Sequence, residues 1–172
     1  KGLGVHLDGA RIFNALTVTG ESPLTIGAAV DTLSVCLSKG LGAPVGSMLI
    51  SNQESIRRAR RVRKALGGGM RQAGYLAAAG IYALENNITR LGEDHRHAQH
   101  IGEALKVCGA VTDVVPVETN IIVFNVARQD QVGHFLNYLR EAGILAMQFG
   151  KQSIRMVTHL EISNADCNTV CQ

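Results

Sequence analysis

The sequence predicts an α/β protein: the later part of a large doubly wound, mostly parallel sheet domain, followed by a smaller C-terminal α/β domain. Three observations carry this. Two strand-like apolar runs, at 3–8 and 32–37, each lead into a charged residue, Asp8 and Lys39. They stand one βαβ unit apart, about 30 residues including a crossover helix. A second alternation of strand and helix patterns begins after residue 110. The 172 residues are 46% hydrophobic, which suffices for a sizeable core shared between two lobes. The chain opens on Lys1-Gly2 without an initiator Met and enters a strand that a parallel sheet would place centrally. It is therefore expected to be part of a longer protein, dividing into residues 1–92 and 93–172, with the boundary region at 93–110.

The elements follow in order. After the first strand a short helix or turn starts at Ala10. Ser22-Pro23 then supplies an N-cap and a first helical position for a helix to about Val30. Strand 32–37 delivers Lys39, and Gly40, Gly42, Pro44 and Gly46 make a helix-incompatible loop before a strand at 47–50. A helix over about 52–65 presents Ile56, Ala59 and Val62 as an apolar stripe and ends at Gly67-Gly68-Gly69. Residues 70–86 are rich in Ala and Gly, which predicts a tightly packed, buried helix. A long helix over 91–107 is expected to join the two lobes and to expose His95, His97 and His100. Positions two apart do not share a helix face, so these histidines are not read as a metal set. Strand 120–126, helix 129–142 and short strands near 144–148 and 153–158 complete the smaller lobe. Ser163, with Asp166 in the first turn, caps a last short helix.

Composition excludes several classes. No apolar run approaches the roughly 20 residues of a membrane helix, and the N-terminus lacks a charged-then-apolar signal pattern. The chain is expected to be soluble, intracellular and cytoplasmic, with a mitochondrial location as the alternative. Its net charge of +3 comes largely from Arg57, Arg58, Arg60, Arg61, Arg63 and Lys64. Aromatics are 4% of the chain and none lies within that tract to stack on bases. The tract reads as a solvated or subunit-facing helix, or as a contact to an anionic cofactor or substrate, ahead of nucleic acid. The spacings of Cys36, Cys108, Cys167 and Cys171 match no zinc or redox C-x-x-C pattern, and reduced thiols are expected. Cys36, within its apolar strand, is expected to be a small buried hydrophobe.

Asp8 and Lys39 at the carboxyl ends of neighbouring parallel strands would lie where open α/β sheets place ligands. A lysine amine and a carboxylate so placed suit pyridoxal phosphate. The amine condenses with the cofactor aldehyde, and the carboxylate keeps the pyridine nitrogen protonated so that the ring accepts electrons. Each could singly be incidental: Asp8 a turn cap, Lys39 a loop lysine, Arg155 an edge-strand charge. His6 and His159 are read as structural or supporting residues.

Four segments together resemble the low-specificity L-threonine aldolases: His6-Leu7-Asp8-Gly9-Ala10-Arg11, Ser38 through Ser47, Leu66-Gly67-Gly68-Gly69-Met70-Arg71-Gln72 and Arg155-Met156-Val157-Thr158-His159. The resemblance implies the aspartate-aminotransferase-like class of pyridoxal-phosphate enzymes, with residues 1–92 as the remainder of the cofactor-binding domain and 93–172 as linking helix and small domain. It implies Lys39 as the covalent attachment point, Asp8 at the pyridinium nitrogen and Arg11 at the phenolic oxygen. It further implies Arg155 at the substrate carboxylate, with Lys64 reaching the same site. The implied reaction is retro-aldol cleavage of L-threonine or L-allo-threonine to glycine and acetaldehyde, in a homodimer or homotetramer without nucleic-acid or membrane partners. The Gly-rich turn and Arg71 would contribute to the subunit interface. Ring-stacking and phosphate-binding groups of that family would precede Lys1. The alternatives are a β-eliminating or racemising relative, or an inactive fragment or pseudoenzyme.

Overall fold

The computed structural model describes residues 2–172 and divides into two compact units, Lys1–Arg90 and Leu91–Gln172. The division falls just ahead of the long helix, which lies wholly in the second unit. Among the described residues no helix is long and apolar enough to cross a membrane.

In the first unit, β1 (His6–Gly9) pairs parallel with β2 (Thr32–Cys36), with Asp8 opposite Ser34. The crossover holds two helices, α1 (Ile12–Thr19) and α2 (Pro23–Ala29). Gly20 closes α1 in the left-handed region at φ 69°, donating to Leu16 O. Ser22 Oγ accepts from Leu24 N at 3.2 Å, and Pro23 opens α2, where its missing N–H costs nothing. β3 (Ser47–Ser51) returns antiparallel to β2, so this three-stranded sheet has one parallel and one antiparallel pair. The short connection explains the direction, because a parallel return needs a crossover of a dozen residues or more.

The apolar residues of β2 alternate: Leu33 and Val35 are buried, while Thr32, Ser34 and Cys36 face the other side. Cys36 is thus only half-buried, and its sulfur accepts from Ser47 Oγ at 3.4 Å, so it is not the enclosed hydrophobe expected from its neighbours. Helix α3 (Gln53–Ala65) starts at Asn52, whose Oδ1 accepts from Ser55 N at 2.9 Å. Helix α4 (Gly74–Asn86) buries only Gly80 and Ala83. Its Ala-rich composition suggested a buried helix, but Tyr75, Ile81 and Tyr82 stand exposed and only the Gly80 side approaches Leu37.

The second unit is a four-stranded antiparallel sheet in the order β4 (Val111–Val114), β5 (Ile121–Val126), β7 (Ser153–Val157), β6 (Met147–Gln148). β4 has no counterpart in the sequence reading; a register shift between Val111 and Asp113 breaks its pattern. Helices α5 (Leu91–Lys106), α6 (Gln131–Glu141) and α7 (Asn164–Val170) complete this unit. Ile122, Phe124, Ile154 and Ala98 are fully enclosed in one core, with Val126, Val132 and Cys167 beside them. The large aliphatic and aromatic members contribute roughly 1.5–3 kcal/mol each. The alternate strand residues, including Val123 and Arg155, face the opposite side and are half-buried.

The expectation for the histidines of α5 is corrected. Only His100 is exposed; His95 and His97 retain 6% and 5% of their surface. His97 Nε2 pairs with Asn164 Oδ1 at 3.0 Å, which ties α5 to the start of α7. Thr158 Oγ1 donates to Asp94 O at 2.6 Å, and Asn120 Nδ2 donates to Thr158 O at 2.8 Å, which ties α5 to the end of β7; His97 Nδ1 and Asn120 Oδ1 are buried there without a hydrogen-bond partner among the described residues.

Candidate functional site

Asp8 is the penultimate residue of β1 and its carboxylate is exposed on the sheet face shared with Ser34. Its Oδ1 accepts from Ala10 N at 3.1 Å and from Ser34 Oγ at 3.4 Å. Both bonds fall on one oxygen, so the protein orients the carboxylate and its second oxygen can accept from a ligand N–H. Gly9 makes this possible. A Cβ there would stand 2.6 Å from Leu33 Cδ1 and 2.8 Å from the Ser34 carbonyl oxygen, so only glycine lets the two strand ends approach. Ser34 was not singled out in the sequence; strand alternation from Leu33 and Val35 would have placed it on Asp8's face.

Lys39 stands three residues beyond β2 with its side chain exposed, in a loop whose backbone is fixed. Leu37 N donates to Gly46 O and Ala43 N to Leu37 O, both at 3.0 Å, and Gly42 N donates to Lys39 O at 2.8 Å. Gly42 and Gly46 have φ of 71° and 124°, conformations that side-chain-bearing residues rarely adopt. Leu37, Leu41 and Ala43 are buried under the loop, and Asn87 Nδ2 donates to Leu41 O at 2.7 Å from the end of α4. A reactive amine on a fixed, uncrowded loop is what a planar aldehyde needs to reach. Asn87 is a second residue the sequence did not mark, since its partner lies far away in the chain.

Arg11 is half-buried ahead of α1 and lines a small recess with Asn14, Cys36, Gly40 and Leu41. The structure thereby brings Arg11 to the residue following Lys39. Lys64 lies in the last turn of α3 in the same unit, and its side chain occupies the space that a Cβ at Gly69 would need. Among the described residues no hydrogen bond or ion pair joins Lys64 to Asp8, Arg11 or Lys39. The turn after α3 is held by Gly68 N donating to Arg63 O at 2.8 Å, with Gly67 at φ 85° and Gln72 at φ 48°.

Arg155 belongs to the second unit, at the middle of β7, opposite Val123 on one side and Met147 on the other. Its neighbours Ile154 and Met156 point into the core, so the guanidinium emerges on the other face, 5.8 Å from the centre of the Phe149 ring. Among the described residues it forms no ion pair. His6 Nδ1 lies 2.7 Å from Thr32 Oγ1, a bridge between β1 and β2, and His159 Nδ1 accepts from Glu161 N at 3.4 Å. No group of three or more His, Cys, Asp or Glu that could hold a metal ion occurs among the described residues.

The residues present fit pyridoxal phosphate at two of its ends. An oriented carboxylate with an oxygen to spare suits a protonated ring nitrogen, and an exposed lysine on a fixed loop suits the aldehyde.

Comparison with known proteins gives a consistent picture. Residues 1–129 match the beta-eliminating lyase family. The chain is 45% identical over 163 residues to the low specificity L-threonine aldolase of Escherichia coli strain K12, covering 95% of this chain and 47% of that protein. It is 41% identical over 172 residues to the probable low-specificity L-threonine aldolase 2 of Arabidopsis thaliana, covering 98% and 48%. Among solved structures, a putative L-allo-threonine aldolase from Listeria monocytogenes shares the fold with a TM-score of 0.77 at 22% identity, over 99% of this chain and 51% of that one. Ornithine delta-aminotransferase of Plasmodium falciparum shares it with a TM-score of 0.63 at 14% identity, over 98% and 45%. The chain spans about half the length of the curated relatives it matches.

Proposed function

The chain belongs to the beta-eliminating lyase family, and from this we propose that it forms part of a pyridoxal-phosphate-dependent aldehyde-lyase that cleaves L-threonine or L-allo-threonine to glycine and acetaldehyde. The observation that carries the reading is the end of the parallel pair. There Asp8, held through Oδ1 by Ala10 N and Ser34 Oγ, sits beside the strand that runs directly into Lys39. The relatives at 41–45% identity supply the substrate class.

When bound, pyridoxal phosphate supplies an electron-accepting ring that stabilises the charge left as Cα–Cβ breaks. Lys39 Nζ would be the primary amine that holds the cofactor through its aldehyde carbon. Asp8 holds a proton at the pyridine nitrogen, because an ionised carboxylate favours the charged form of a basic nitrogen beside it. Arg11 balances the anionic phenolic oxygen through charge-assisted N–H donors. Arg155 would bind a substrate carboxylate through two parallel N–H donors, as a guanidinium fork suits. Lys64 would offer a cation to an anionic group of the substrate.

Association with further copies, as a homodimer or homotetramer in the cytoplasm, belongs to the same reading. It is supported by the exposed apolar residues Leu66, Met70 and Tyr75 that flank the Gly-rich turn, Tyr75 keeping 92% of its surface. Neither a membrane nor a nucleic acid is part of the proposal.

The test is borohydride reduction in the presence of pyridoxal phosphate, followed by peptide mapping. The adduct is expected on Lys39 and absent from Lys39→Ala, which retains parental circular dichroism because the side chain is exposed. An adduct distributed over surface lysines, unchanged by Lys39→Ala, would refute the cofactor assignment.

A further inference from the structure

Phe149 has no packing reason to be where it is. It keeps 62% of its surface and lies outside the core cluster of the second unit, yet its backbone is closely held. Phe149 N donates to Ser153 O at 2.9 Å, and Gly150 N reaches the same oxygen at 3.4 Å. Gln148 Nε2 donates to Gly150 O at 2.8 Å, and Ser153 Oγ donates to Asn125 Oδ1 at 2.7 Å, which ties the turn to β5. This sets Phe149 opposite Ser153 and diagonal to Arg155 on one face of the β6–β7 hairpin, within reach for an aromatic ring and a long side chain.

Arg155 lacks the constraints that usually fix an arginine. Among the described residues no carboxylate pairs with it, and its register neighbours Val123 and Met147 offer no acceptor side chain. Its guanidinium carbon lies over the Phe149 ring, 5.8 Å from the ring centre. A planar cation lying on a ring keeps its N–H donors free at the edge, whereas an acidic partner would occupy them.

We propose that Phe149 is a positioning residue for Arg155: its ring holds the guanidinium in the orientation that receives the substrate carboxylate. This rests on the reading of Arg155 given above. A cation–π contact at a partly exposed site is worth about a two- to five-fold change in an equilibrium. That is the size of the effect on substrate binding.

The test uses protein expressed from its full coding sequence and loaded with pyridoxal phosphate, with Phe149→Leu, Phe149→Tyr, Arg155→Ala and the Phe149→Leu/Arg155→Ala double variant. Phe149→Leu keeps apolar bulk and loses the π face. It is expected to raise KM for threonine about two- to five-fold with kcat within about twofold of the parent. Phe149→Tyr is expected to restore the parental KM. The δ-proton resonances of Arg155, displaced by the ring current in the parent and in Phe149→Tyr, are expected to return to ordinary arginine values in Phe149→Leu. In the Arg155→Ala background, Phe149→Leu is expected to add nothing to KM.

Two results overturn the proposal in different ways. If Arg155→Ala raises KM but Phe149→Leu costs the same factor with and without Arg155, Phe149 acts independently and the positioning role alone fails. If Arg155→Ala leaves KM unchanged, the carboxylate reading fails as well.

Discussion

Gly9 shows how one missing side chain can hold a site together. The carboxylate of Asp8 is oriented from Ser34 on the neighbouring strand, and the strands meet there only because position 9 has no Cβ. In Gly9→Ala the new methyl would press on a backbone carbonyl, which cannot turn aside as the Leu33 side chain could. The expected loss is about 1–3 kcal/mol of stability, read as a lower urea midpoint at unchanged slope. Weaker retention of pyridoxal phosphate is expected to accompany it, as Asp8 loses its alignment with Ser34. A Ser34→Ala chain separates the two effects, since it removes the hydroxyl without adding bulk; retention should fall while the urea midpoint moves little. The charged candidates Asp8, Arg11, Lys39 and Arg155 could be proposed from the sequence because their motifs are local. Ser34, Asn87 and Phe149 were not, because each acts on a partner that only pairing or packing brings near.

At the scale of elements, helix ends were the most legible feature and helix faces the least. Ser163 and Asp166 form a full capping box: Asp166 N donates to Ser163 Oγ at 3.2 Å and Ser163 N to Asp166 Oδ2 at 2.8 Å. The Ser163 hydroxyl and N–H hold the Asp166 carboxyl below its usual range. Both groups lie within four residues, so sequence alone carries the motif. Ser163→Ala is expected to destabilise the docking of α7 by about 1 kcal/mol in urea unfolding, and Ser163→Asp to recover most of it. The loss should also raise the reactivity of Cys167, which is 2% exposed on this helix and whose thiol burial pushes up, with Cys171 and Asp166 adding to the shift. Helix faces failed for a physical reason. The periodicity of α5 marks apolar positions, but His97 is met by Asn164 at the start of α7 and Thr158 bonds the Asp94 carbonyl next to His95, partners far along the chain. For α4 the Ala and Gly content described how closely a neighbour could approach and left open whether one did.

For the whole molecule, a pH effect will be felt where a titratable group is enclosed. Both units bury apolar residues and expose others: the second encloses Leu91, Ile122, Phe124 and Ile154 and exposes Val107, Tyr138 and Leu145, and the first buries Leu41 and Ala83 and exposes Leu24, Leu66 and Met70. His95 lies among the enclosed groups of the second unit, and burial lowers its pKa from 6.5, with the Asp94 charge opposing the shift in part. A histidine whose folded pKa lies below its unfolded value binds its proton more weakly when native, so the unfolded state gains protons first as pH falls. Stability is therefore complete above about pH 6.5 and declines as pH drops through 6.5 toward the folded value, below which this contribution is constant. The expected signature is a falling urea midpoint for the second unit between about pH 7 and pH 5, followed through slow-exchanging amides of β5 and β7. His95→Gln, which cannot take up the proton, should flatten that dependence while the carboxylates' contribution at lower pH persists. A pH dependence unchanged in His95→Gln would assign the effect elsewhere.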